Sequence, residues 1–457
     1  FLRGAARTQT AIRQTAIRQP VTPRWGRDVS RNSMDRSIGT TKPGRPSIFN
    51  TPIVRPYITD VNSKAIDACG VGFNQSLCGN PTHENVQVTL DALSKMEHRG
   101  AKGRDPLTGH GCGILLKEYD KSFFKKLYPD LQKDFCVGSF FFSKDQPQRE
   151  KQLEYLRAIL NRNGLDIQNI RSVPTNSELI GPIGNASPLG PYQVIIEKPD
   201  ELTDSEFELT LKKCRIQFDL GQDAFDQKSV VSSLSSKYLI YKAMCIEPNL
   251  KKYFKDFLDS TFKSSGSLVH SRMGTNERTD EGNTQPFPNQ SNNGEDNAYR
   301  KRVLFLENDP EVKRLFGVKS INLKGWSDSR VLSLYIDYLK LKGIAEPEIM
   351  SSLLQPFDPS NPNSLSRYYS LFGPIGYEGP YTGVMNLEDV YVGRDANGLR
   401  PSVGQVGDSL YFASEFGAYP YEQQSPPLFF DPGTAYKVSD SSFEPCESSS
   451  ALDVAKM

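Results

Sequence analysis

At 457 residues, with 24% charged and 10% aromatic side chains, the chain has the composition of a globular protein with room for two or three domains. The formal net charge is only +1, and no run of about 20 apolar residues occurs, so no helical membrane span is expected. The seven cysteines form no CxxC pair and there are only four histidines, so zinc-ribbon and iron–sulfur readings fail on spacing, and neither a metal nor a cofactor is expected.

An odd, scattered cysteine set fits reduced thiols in a cytosol-like or mitochondrial-matrix compartment. The near-neutral total hides an asymmetry. Residues 1–55 hold eleven Lys/Arg against Asp28 and Asp35, a net of +9, which leaves −8 for the remainder. FLRGAARTQTAIRQTAIRQP repeats TAIRQ and has no acid, which is the composition of a mitochondrial transit peptide; it lacks the long apolar core of a secretory signal. A start at Phe1 rather than Met suggests a processed or trimmed chain. Residues 20–56 are rich in Pro, Arg, Ser and Gly without apolar periodicity. The arm 1–56 is therefore expected to bind an acidic protein surface, nucleic acid or anionic lipid, the plainer alternative being that it folds back on its own domain.

From Cys69 on, strand and helix signals alternate. VGFNQSL, CVGSFFFS (Cys136–Ser143) and YQVIIEK (Tyr192–Lys198) read as strands. HENVQVTLDALSKMEHRG places Val86, Leu90, Leu93 and Met96 at helical spacing before Gly100. REKQLEYLRAILNRNGL predicts a helix closed by Gly164, KKYFKDFLDSTF a short one, and VLSLYIDYLKLKG a longer one ending at Gly343. SLSSKYLIYKAMC reads as a hairpin turning at Ser235–Ser236–Lys237. Thr275–Asn297 reads as a long polar insertion. Near the end, strands separated by Asp/Asn-Gly turns follow one another. Mostly antiparallel strands with separate helices predict α+β layers rather than a doubly wound sheet.

Several colinear blocks carry a resemblance: ACGVGF (68–73), the run from His83 to Leu116, SLSSKYLIYKAM, LVHSRMGTN (268–276), NNGE (292–295), WSDS (326–329), DANGLRPS (395–402) and LYFASE (410–415). Together they are similar to the N-terminal glutaminase region of the glutamate synthase large subunit, a class II glutamine amidotransferase of the N-terminal-nucleophile hydrolase superfamily. The resemblance implies a four-layer α/β/β/α fold with two stacked antiparallel sheets over residues 57–425, followed by a C-terminal tail (426–457). It also implies hydrolysis of glutamine to glutamate and ammonia through a thioester.

Carried over residue by residue, Cys69 stands at the nucleophile position, and Asn293 and Gly294 at the oxyanion hole, through a side-chain amide and a backbone N–H. Arg272 stands where the substrate carboxylate is bound, with Thr275 on the same segment, and Asp328 where the substrate ammonium is held. Taken singly, each has a plainer reading: a small core cysteine, a structural ion pair, an Asn-Gly turn, a helix N-cap.

The chain also departs from the pattern. In the family the nucleophile is residue one and its α-amine, with a reference pKa of about 7.7–8.0, is the general base. Here Cys69 follows Ala68 in the sequence. The family's GDGAG reads GHGCG, with His110 in place of an acid; HNGE reads NNGE, with Asn292 in place of a histidine; FSTN reads MGTN. ERTDEGNT replaces a tryptophan-containing segment, and Ser333 stands where a second acid belongs. No flavin-binding barrel or cysteine cluster follows within the sequence.

Three readings compete. The first is an inactive glutaminase scaffold serving as an accessory subunit on the matrix side of mitochondria, with residues 1–56 on neighbouring subunits. The second is an active amidotransferase matured by cleavage before Cys69. The third is a glutamine sensor. A respiratory complex is favoured over a ribosome, because the globular part carries −8 and no aromatic-basic interleaving marks a nucleic-acid face.

Overall fold

The alternating apolar stretches fold into sixteen strands and ten α-helices within the described residues of the computed structural model: 69–274, 279–354, 377–420, 425–439 and 442–446. The first run is β1 (Gly70–Ser76), α1 (His83–Lys95), β2 (Thr108–Tyr119), α2 (Ser122–Leu127), β3 (Phe135–Ser143), α3 (Gln146–Arg162), β4 (Asn169–Ser172), α4 (Pro182–Asn185), β5 (Leu189–Glu197) and α5 (Asp204–Leu220). Next come β6 (Val230–Ser235), β7 (Tyr238–Cys245), α6 (Glu247–Tyr253), β8 (Ser264–Ser271), β9 (Gln290–Gly294), α7 (Tyr299–Asn308), α8 (Pro310–Phe316), α9 (Asp328–Leu341) and α10 (Glu346–Leu354). The last strands are β10 (Tyr381–Asn386), β11 (Val390–Arg394), β12 (Val403–Val406), β13 (Ser409–Ala413), β14 (Leu428–Phe429), β15 (Ala435–Val438) and β16 (Phe443–Pro445).

Three sheets form, with orders β14-β12-β13-β1-β8-β2-β7, β16-β15-β11-β10-β9 and β4-β5-β3-β6. Every ladder among them is antiparallel. Alternation decides the layering, because successive strand residues face opposite sides. On the first sheet Val71, Phe73, Leu115, Ile240 and Leu268 join Val384, Val390 and Val392 of the second in one buried cluster. The opposite face of the first sheet, including Ile114, Leu116 and Val269, packs on Leu90 and Leu93 of α1 and Leu250 of α6. The opposite face of the second, including Tyr381, Met385 and Tyr391, packs on α7, α9 and α10 through Leu306, Tyr335 and Met350. The result is helix, sheet, sheet, helix: the α+β class and the layering that the resemblance implies.

The helices start where side chains satisfy their first N–H groups. Thr82 caps α1, Thr203 and Glu206 close a capping box on α5, and Ser327 caps α9.

Four differences from the sequence reading have physical reasons. β6 and β7 do follow one another through a tight turn, but they are not a paired hairpin: β6 pairs with β3, β7 with β2, and the turn carries the chain between sheets. That third sheet, covered by α3 and α5 around Phe140, Leu156, Phe207 and Phe218, was not anticipated. The described part of the expected polar insertion is largely packed into the fold. Residues 281–293 are buried and include β9, their polar side chains bonding inward, as Asn283 Nδ2 does to Gly325 O (2.9 Å) and Asn289 Nδ2 to Ser333 O (2.8 Å). The short helix expected over 251–262 begins earlier, at Glu247 with Pro248 in its first turn, and gives way to a 3-10 turn at Lys255–Leu258.

Residues 426–446, set apart in the sequence as a tail, add β14 to the first sheet and β15 and β16 to the second, with Phe430 and Val438 in the inter-sheet cluster. The arm 1–56 lies outside the described residues.

Candidate functional site

Strand register brings the site together. β1 and β8 are neighbours, with Gly70 opposite Ser271 and Val71 opposite His270. Val71 and Leu268 face the inter-sheet space, so alternation puts Cys69, His270 and Arg272 on that side too. From the other sheet, Asn293 lies opposite Thr382 and Ser291 opposite Val384, which faces the same space. Gln290 and Asn292 point the other way, to Ser329 O (2.8 Å) and Tyr377 Oη (3.5 Å). A one-residue slip of β9 would exchange the two sets.

Cys69 sits at the start of β1. Its Sγ accepts the Met273 N–H (3.3 Å) and lies 3.7 Å from Met273 O. Burial pushes the thiol up, outweighing the downward pull of the Met273 N–H and of Arg272 and Arg400; Asp328 pushes it further up. The resting sulfur is therefore a thiol, not a thiolate.

Arg272 is 6% exposed. Its backbone is held at both ends, N–H to Gly111 O (3.1 Å) and C=O from Ala101 N–H (3.2 Å), and Nη1 donates to His110 O (3.4 Å). Asp328 opens α9. Its Oδ1 accepts from Ser329 N–H (2.6 Å) and Oγ (3.2 Å), and Oδ2 accepts from Asp296 N–H (3.0 Å). Burial raises this carboxyl, while Ser329, Arg302 and Arg272 pull it down.

Asn293 is 2% exposed and its Oδ1 has no hydrogen-bond partner among the described residues. Gly294 is required by close approach: a Cβ there would lie 2.5 Å from Pro380 O and from Tyr377 Oη. Gly111 allows β2 to pass Thr284 at φ +112°, where a Cβ would overlap the threonine side chain. Cys69, Arg272 and Asp328 thus lie within electrostatic reach of one another, and Asn293 faces the inter-sheet space from β9, which Gly294 ends. Thr275 lies outside the described residues.

Sequence reasoning missed the groups that hold this set in place. Asp296 and Arg302 form an ion pair whose side chains are 1% and 0% exposed. Asp296 Oδ1 also accepts from Ala298 N–H (3.0 Å) and Glu378 N–H (3.3 Å). The only signals were an acid directly after NNGE and one arginine on the inner face of α7. Arg400, in the ANGLRP block, completes the positive surroundings of Cys69.

His270 was not singled out either. It is fully buried, its Nε2 donates to Asn292 O (3.2 Å), and burial brings it down to about 3, so it stays neutral and is a poor base. The set can hold a zwitterionic amino acid between Arg272 and Asp328 and present an amide to Sγ. Among the described residues, Sγ has hydrogen-bond contacts only with Met273 N and O, and no base touches it.

A cleft of about 1170 Å³ borders the site, with His110, Asp280, Trp326 and Arg330 among its lining residues. Among the described residues no group of His, Cys, Asp and Glu side chains could hold a metal ion, and no helix is long and apolar enough to cross a membrane.

The family model of the class-II glutamine amidotransferases matches residues 69–426. The large chain of the NADPH glutamate synthase of Bacillus subtilis is 29% identical over 384 residues, 79% of this chain and 25% of that protein. Its counterpart from Azospirillum brasilense is 30% identical over 364 residues, 73% of this chain and 23% of that protein. The chain thus spans about a quarter of the length of these relatives. Among solved structures, the allosteric regulatory enzyme of purine biosynthesis matches 84% of this chain and 50% of its own, at 15% identity and a TM-score of 0.38. At that score the likeness adds nothing to the fold read from strand order.

Proposed function

The chain belongs to the class-II glutamine amidotransferases, and on that premise we propose that its glutamate-synthase-like domain holds glutamine without hydrolysing it while Cys69 is joined to Ala68. The observation that carries this is the setting of the sulfur. The thiol is raised by burial and, among the described residues, is hydrogen-bonded only to the backbone of Met273, and in the linked chain the nitrogen of Cys69 is a non-basic amide. Arg272 and Asp328 remain in place to bind the two charged ends of an α-amino acid. Such a domain acts as an accessory subunit. The acid-free Arg/Thr/Gln-rich start favours the mitochondrial matrix, and the +9 arm favours docking of residues 1–56 on acidic neighbours of a respiratory complex.

Cross-linking of the native assembly tests the second half: residues 1–56 are expected to carry links to other mitochondrial subunits, and a chain recovered alone outside mitochondria overturns it. Calorimetry with L-glutamine tests the first half, because no heat at millimolar ligand leaves nothing held.

One observation favours an active enzyme instead: the family match begins at Cys69 itself. Cleavage there would free an α-amine, with a reference pKa of about 7.7–8.0, beside the thiol. Intact mass spectrometry separates the two readings, since a mature chain beginning at Cys69 would establish the active one.

A further inference from the structure

Cys112 and Cys245 meet between the last two strands of the first sheet. Among the described residues β7 is the end strand there, paired with β2, and Cys245 is its last residue. The β2–β7 register is irregular between Thr108 and Cys112, where Cys245 stands. The Cys112 thiol donates to the Cys245 carbonyl (3.4 Å), and the two Sγ atoms are 3.9 Å apart. Both residues are 0% exposed and both thiols are free. Among the described residues no other two cysteines make a sulfur–sulfur contact. The chain between them builds a sheet of its own: β3, β4, β5 and β6, with α3 and α5, all lie between Cys112 and Cys245. β2 leads into that unit and β7 leads out of it, so the two sulfurs sit at its neck.

We propose that Cys112 and Cys245 are an oxidative modification site, a dithiol that a peroxide converts to a disulfide, fastening the neck of the third sheet. One sulfur, as thiolate, attacks a peroxide oxygen; the O–O bond breaks, the leaving hydroxide takes up a proton as water, and the sulfur becomes a sulfenic acid. The second sulfur attacks the first, the S–S bond forms, the S–O bond breaks and a second water leaves. The two sulfurs lose two electrons and the peroxide gains them. A disulfide brings the sulfurs to about 2.05 Å, and the remaining closure falls on side-chain rotation and on the irregular stretch of β2. Burial, followed by the contact with Cys245, pushes the Cys112 thiol well up, so Cys112 rests as the thiol. Reaction therefore waits on opening of the end of β7 and is slow in the closed fold.

The test exposes the full, reduced chain overnight to hydrogen peroxide under native conditions, at a level that oxidises the exposed Cys78. Catalase removes the oxidant, the remaining thiols are blocked, and peptides are mapped without reduction. The expected product is a Cys112–Cys245 peptide two hydrogens lighter than its parts, in excess over every other cysteine pair and lost on treatment with dithiothreitol. Its formation shifts the urea midpoint up by about 1 M, because the link closes a long loop of the unfolded chain. Cys112→Ala, which restores the alanine of GDGAG, abolishes both the product and the shift, and Cys245→Ala does the same from the other strand. A pair still reduced after the exposure, sulfinic acid or a different cross-link in its place, or a product that forms only in urea overturns the proposal. A link that forms without the shift refutes the fastening.

Discussion

Arg302→Met removes one half of an ion pair that has no access to water. Asp296, 1% exposed, would be left as a buried carboxylate whose backbone N–H still positions Asp328. Removing one partner of such a pair costs about 3–5 kcal/mol, because the stranded charge keeps its desolvation penalty. Asp296→Asn combined with Arg302→Met removes both charges while the Asn side chain can still accept the Ala298 and Glu378 N–H bonds, so it is expected to recover to within about 1–2 kcal/mol of the parent. Equilibrium urea unfolding reads both, as a shift of midpoint at unchanged slope. L-Glutamine affinity should follow the same order, since Asp328 leans on Asp296. If Arg302→Met costs less than about 1 kcal/mol, or the double variant is worse than the single one, the pair does not hold the site as argued.

Stability should pass through a minimum near pH 7. Burial raises Glu247 to about 7, so its contribution is full below about pH 4.5 and is lost as pH rises to 7; burial lowers Lys242 to about 7, so stability recovers as pH rises from 7 towards 10.5. Glu247→Gln flattens the acid limb and Lys242→Met the alkaline one, and a profile unchanged in both variants refutes the assignment. Gly294→Ala should cost about 1–3 kcal/mol and disturb the β9–β10 ladder, since its Cβ meets Pro380 O at 2.5 Å; a neutral substitution would show that β9 is free to move. Iodoacetamide near pH 7.5 should modify Cys78, exposed and lowered by its Ser76 hydrogen bond, before Cys69, raised by burial, and the reverse order on peptide mapping would show that Cys69 is activated.

The sequence was most informative where one periodicity ruled one element. The α1 and α9 patterns, the β1, β3 and β5 strands and the left-handed glycines after α3 and α9, Gly164 and Gly343, stand where the spacing placed them. Sheet membership was not legible. The turn at Ser236–Lys237 looks the same whether its strands pair with each other or with β3 and β2, because the difference lies in long-range partners. Residues 281–293 read as part of a polar insertion because polarity alone does not distinguish a solvated loop from a buried segment whose polar groups bond internally. Cys69, Arg272, Asn293 and Asp328 were singled out only through the colinear blocks; the register of β1, β8 and β9 puts the first three on the inter-sheet side, and Asp328 acts on Cys69 from the start of α9. Asp296, Arg302 and His270 carried no pattern of their own, since burial, not spacing, makes them consequential.

The central claim is that this thiol keeps its place in the fold but lacks a base while Ala68 remains attached. The most direct measurement is ammonia released from L-glutamine by a chain whose Ala68–Cys69 bond is verified intact by mass, side by side with one that begins at Cys69. No ammonia above the buffer blank from the linked chain is the predicted result. Steady turnover by the linked chain, abolished in Cys69→Ala, would contradict it.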